Sequence, residues 1–75
     1  MYISKPIGTL SVGDVFKFSV HDLPYKLLSV QELSDDIIVI DCKATINFYK
    51  HDRYKRFTGK VYKSLNVYIE DRHWS

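Results

Sequence analysis

Apolar side chains in this chain return at every second position, and that period narrows the possible folds more than any other feature. Phe16, Phe18 and Val20 alternate with Val15, Lys17 and Ser19. Ala44, Ile46 and Phe48 alternate with Thr45, Asn47 and Tyr49, and Leu65, Val67 and Ile69 repeat the pattern. Successive side chains of a strand point to opposite faces, so each run reads as a half-buried strand. Ile37 to Lys43 is rich in the β-branched residues that fit a pleated surface. The leucines between Asp22 and Leu33 could serve a helix, but Pro24 and the run from Tyr25 to Val30 favour a strand. Gly13-Asp14, His21 to Pro24 and Glu32 to Asp36 supply turns between the runs. Several short strands without a convincing helix predict an all-β domain, a small barrel or a strongly curved antiparallel sheet of four to six strands.

The expected core is Phe16, Phe18, Val20, Leu28, Val30, Ile38, Ile40, Ile46, Phe48, Leu65, Val67 and Ile69. At 75 residues the chain holds one domain, residues 1–75. A domain of that size buries only about 60% of its unfolded surface, which leaves little room for a deep enzyme pocket. The longest apolar run is Ile37 to Ile40, far short of the roughly 20 residues that cross a bilayer, so no membrane partner is expected. The first residues lack the features of a signal peptide, and the expected location is cytoplasmic, that of a host cell if the chain is phage-encoded. Cys42 is the only cysteine, so there is no internal disulfide, and it is expected to pack as a small strand hydrophobe.

Leu10-Ser11-Val12-Gly13-Asp14-Val15-Phe16-Lys17-Phe18, followed by Tyr25-Lys26-Leu27-Leu28-Ser29-Val30, resembles the opening of small SH3-like barrels, including the KOW-type domains of ribosomal and transcription-associated proteins. The resemblance covers about residues 8–31 and implies an SH3-like barrel that binds RNA, DNA or protein through its loops and one sheet face. Lys26-Leu27-Leu28 and Gln31-Glu32-Leu33 stand where the KOW pattern has its later glycine. In size and aromatic content the chain is also similar to accessory proteins of tailed bacteriophages, many of which bind a host protein or nucleic acid.

The net charge of +2 conceals an uneven distribution. Residues 1–48 hold four lysines and six acids, whereas residues 49–63 hold Lys50, Arg53, Lys55, Arg56, Lys60 and Lys63 against Asp52 alone. Tyr49, Tyr54, Phe57 and Tyr62 are interleaved with those cations. One segment thus offers charges that neutralise phosphates and rings on which bases stack. It is expected to project as a basic, aromatic hairpin or loop, with Tyr54 or Tyr62 as the stacking platform. The same pattern also serves to keep an exposed sheet edge from pairing with other chains.

Two readings follow. The first is a non-catalytic module that binds nucleic acid, DNA or RNA, through Lys50, Arg53, Tyr54, Lys55, Arg56, Lys60, Tyr62 and Lys63. The second is a small regulator or inhibitor that docks the same surface on an acidic patch of a partner protein, host-encoded or otherwise. Self-association through an exposed strand edge stays open. The adjacent pairs His21-Asp22 and His51-Asp52 point to opposite faces of any strand, and with His73 they lack metal-ligand spacing. Asp35-Asp36 reads as a solvated turn. No phosphate loop, nucleophile elbow or cysteine–histidine constellation is present. No enzyme activity, cofactor or metal is expected.

Overall fold

The computed structural model describes residues 2–45 and 55–70. They form six strands, β1 (Tyr2–Pro6), β2 (Val15–Phe16), β3 (Tyr25–Glu32), β4 (Ile37–Ala44), β5 (Arg56–Tyr62) and β6 (Asn66–Glu70), with one 3-10 turn at Ile7–Thr9. The fold is all-β. Strands β2-β3-β4-β5 make a four-stranded antiparallel sheet curled into a half-barrel, and β1-β6 make a second, two-stranded sheet.

Local chemistry sets the turns. Gly13 has a φ of 99° and Asp14 N–H donates to Ser11 O, so glycine fills the position that a type II turn reserves for it. Gly13 N–H then donates to Leu27 O and Leu27 N–H to Asp14 O, which leads β2 onto β3. Between β3 and β4, Ser34 Oγ accepts from Ile37 N–H at 3.2 Å, and Asp35-Asp36 lies in the turn as its composition predicts. The segment from Tyr25 to Glu32 is a strand, so Pro24 and the run from Tyr25 to Val30 prevail over the leucines, as expected.

The two sheets join through a change of partner. Val15 and Phe16 pair with Lys26 and Tyr25 on β3, but the next residue, Lys17, bridges Tyr68 on β6. Lys17 and Tyr68 exchange backbone hydrogen bonds at 2.7 and 2.8 Å. At the other end of the sheets Gly8 N–H donates to Lys63 O. The strand expected to run on to Val20 therefore stops early: Val20 lies in a turn and is 41% exposed.

The core is Ile7, Phe16, Tyr25, Leu27, Ile38, Ile40, Cys42, Ala44 and Val67, with Phe18 and Ile69 packed against it. Phe16, Ile38, Ile40 and Val67 are buried as the alternation predicts. Leu28, Val30 and Leu65 are not, at 37, 38 and 40% exposure. A β-bulge between Leu27 and Ser29 inserts one residue against β4 and so shifts the alternation, placing Leu27 rather than Leu28 inside. Val30 stands opposite Ile40, but β2 covers β3 only at Tyr25 and Lys26, so Val30 lies on an open edge. Leu65 sits in the turn before β6. Ile46 and Phe48 lie outside the described residues.

Cys42 is fully buried on the inner face of β4, opposite Phe57, and burial pushes its thiol up to about 11. Because the thiolate is the reactive form, Cys42 is expected to resist a thiol reagent at pH 8 in the folded protein and to react fully in denaturant. Fast labelling without denaturant would contradict this packing.

Candidate nucleic-acid interface

The register fixes which side chains share the outer face of the half-barrel. Ile38, Ile40, Cys42 and Ala44 of β4 are buried, so Ile37, Val39, Asp41 and Lys43 face outward. Residues directly opposite across a ladder point the same way. Lys43 pairs with Lys26 on β3 and with Arg56 on β5, and Lys26 pairs with Val15, giving an outer row Val15–Lys26–Lys43–Arg56. The next row is Ser29–Asp41–Thr58, and the one after it Gln31–Val39–Lys60. Tyr62, opposite Ile37, completes the face at 65% exposure.

Among the described residues the outer rows thus present Lys26, Lys43, Arg56 and Lys60 with one carboxylate, Asp41. Arg56 grips that carboxylate in bidentate fashion: Nε donates to Oδ1 at 2.8 Å and Nη2 to Oδ2, while Thr58 Oγ1 donates to Oδ1 at 3.1 Å. These bonds, Arg56 first, hold the Asp41 carboxyl below its usual range. Arg56 is therefore ion-paired, although its side chain stays 61% exposed. Lys26 and Lys60 form no ion pair among the described residues.

The expected site residues separate accordingly. Arg56, Lys60 and Tyr62 meet on the outer face of β5, and Lys55 is exposed just before it, its carbonyl accepting from Ala44 N–H. Lys63 does not join them. It lies in the turn after β5 and its Nζ donates to Glu32 Oε1 at 2.9 Å, which lowers the Glu32 carboxyl. Lys50, Arg53 and Tyr54 lie outside the described residues. The stretch from Arg56 onward is a strand of the sheet, registered residue by residue on β4, and not a projecting tip. Phe57 points to the inner side, where its ring meets Phe18 edge-on at 5.4 Å and lies over Gly59, whose missing Cβ would stand 3.2 Å from that ring. It is a packing residue.

Lys26 and Lys43 were missed because each sits alone in an apolar strand, and only the register of three strands brings them beside Arg56. A second feature escaped for the same reason. Tyr2, Val15, Phe16, Lys17, Pro24, Thr45, Tyr68 and Glu70 line an open cleft of about 590 Å³ where the two sheets meet. Lys17 Nζ donates to Tyr2 Oη at 2.7 Å on its wall.

Among the described residues no group of three His, Cys, Asp or Glu side chains is placed to hold a metal ion, and no helix is long and apolar enough to cross a membrane. Comparison with protein-family models, curated proteins and solved structures finds no match to this chain.

Proposed function

We propose that this protein is a non-catalytic module that binds nucleic acid through the outer face of β3, β4 and β5. The observation that carries this reading is the placement of Lys26, Lys43, Arg56 and Lys60 on one open face, with Asp41 the single carboxylate in those rows among the described residues. Neighbouring strands lie about 4.8 Å apart and residues along a strand rise about 3.3 Å, so the four cations cover a patch roughly 10 by 13 Å. Such a patch neutralises several phosphates and releases their counterions. Backbone contacts of this kind position a polyanion without reading its sequence. Tyr62 adds an exposed ring at the edge of the patch.

The alternative, docking on a partner protein, is favoured by a different observation. Among the described residues β5 pairs only with β4, so its outer edge is open to strand addition. Fluorescence anisotropy with labelled oligonucleotides at rising salt separates the two readings. Nucleic-acid binding is expected to weaken with a log–log slope of about −3, as about four phosphate contacts at roughly 0.7 each require. No binding at low salt would refute it and leave the protein partner.

A further inference from the structure

The outer face does not end at Val15. That residue heads the row Val15–Lys26–Lys43–Arg56 and is also part of the wall of the cleft between the sheets. Lys17, two residues on, has the same outward parity, and its ladder partner Tyr68 stands beside it on β6. Tyr2 pairs with Glu70 while Tyr68 pairs with Ser4, so the two tyrosines are diagonal neighbours on one face of the β1–β6 sheet. One continuous surface therefore runs from two phenol rings, past Lys17, to the cation row.

We propose that this surface selects single-stranded nucleic acid, the cleft receiving unpaired bases on Tyr2 and Tyr68 while Lys17, Lys26, Lys43 and Arg56 follow the phosphates. The proposal rests on the nucleic-acid reading above and names the class of ligand for it. Three observations carry it. The cleft volume falls within the roughly 300–1,000 Å³ of sites that take flat small molecules. Its rings offer π-faces, that of Tyr2 on the side away from Lys17, whose Nζ lies 4.6 Å from the ring centroid; any base stacks on such a face, but only when it is not already stacked inside a duplex. The cations are also placed for it: Lys17, paired with Tyr68, adjoins the cation row through Val15, which sets the phosphate path beside the cleft.

The test uses three labelled probes: a twelve-residue oligothymidine, an abasic oligomer with the same number of phosphates, and a duplex of matching length. Oligothymidine is expected to bind about tenfold or more tightly than the abasic oligomer, in line with stacking on one or two rings. Tyr2→Leu, at an exposed edge position, should remove part of that margin over the abasic oligomer, and Tyr2→Leu with Tyr68→Leu the rest. Crosslinking of the native protein to a 5-iodouracil oligomer, mapped by peptide mass, should fall on Tyr2 or Tyr68 and does not depend on any variant folding. Equal affinity for the abasic oligomer, tighter binding of the duplex, or crosslinks confined to Tyr62 would overturn the proposal while leaving polyanion binding intact. Failure of every probe to bind at low salt would overturn both.

Discussion

Replacing Ile40 with alanine should cost about 2–5 kcal/mol, the usual range for emptying a buried isoleucine site. Ile40 is fully buried at the centre of β4, between Val30 on β3 and Gly59 on β5. The neighbour on the β5 side has no side chain of its own and is covered by the Phe57 ring. A 75-residue domain has a total stability of about 4–11 kcal/mol at 0.05–0.15 kcal/mol per residue. The variant should therefore lose a large share of it, with the urea midpoint falling by about 2 M or more at an m-value near 1 kcal/mol/M. Leu28→Ala, at a residue turned outward by the bulge, should cost less than about 1 kcal/mol. Equal losses for the two would mean that β3 is registered differently.

Reversing Lys26 and Lys60 to glutamate should weaken oligonucleotide binding by about 100-fold or more at 50 mM salt and reduce the salt slope by about 1.4, two contacts at roughly 0.7 each. These two lysines flank the face on β3 and β5 and make no ion pair among the described residues, so their removal exposes no orphaned carboxylate. Lys5→Glu with Lys63→Glu changes the net charge equally, but Lys5 lies on β1 and Lys63 is turned to Glu32. That control should lose far less. Matching losses in the two pairs would show that affinity follows overall charge and not this face.

The fold class was legible in the sequence because period-two alternation is a local property, and Phe16, Ile38, Ile40 and Val67 announce their burial through it. The positions read wrongly are those where something non-local intervenes. Leu28 exchanges places with Leu27 because of a bulge that no residue type signals, and Val20 is exposed because β2 changes partner at Lys17. Strand β1 carries no alternation of its own and is a strand because β6 pairs with it. The basic segment was visible as composition, and Arg56, Lys60 and Tyr62 do share a face. Lys26 and Lys43 could not be added to them without the register, since each lies among apolar neighbours of its own strand. Lys63 was grouped with them by its place in the sequence, whereas in the structure it lies in the turn after β5 with its ammonium bonded to Glu32.

The pairing of β1 with β6 sets Tyr2 opposite Glu70. On a ribosome the first of these residues emerges long before the second is made, so β1 must wait without its partner while β2 to β5 are made. The β3–β4 hairpin, closed by a short turn, can form meanwhile, but the second sheet and the cleft at its junction cannot. Acquisition of this fold is thus tied to the emergence of residues near 70 from the exit tunnel, and a nascent chain stalled before that point would lack Val67 from the core it shares with Ile7 and Phe16.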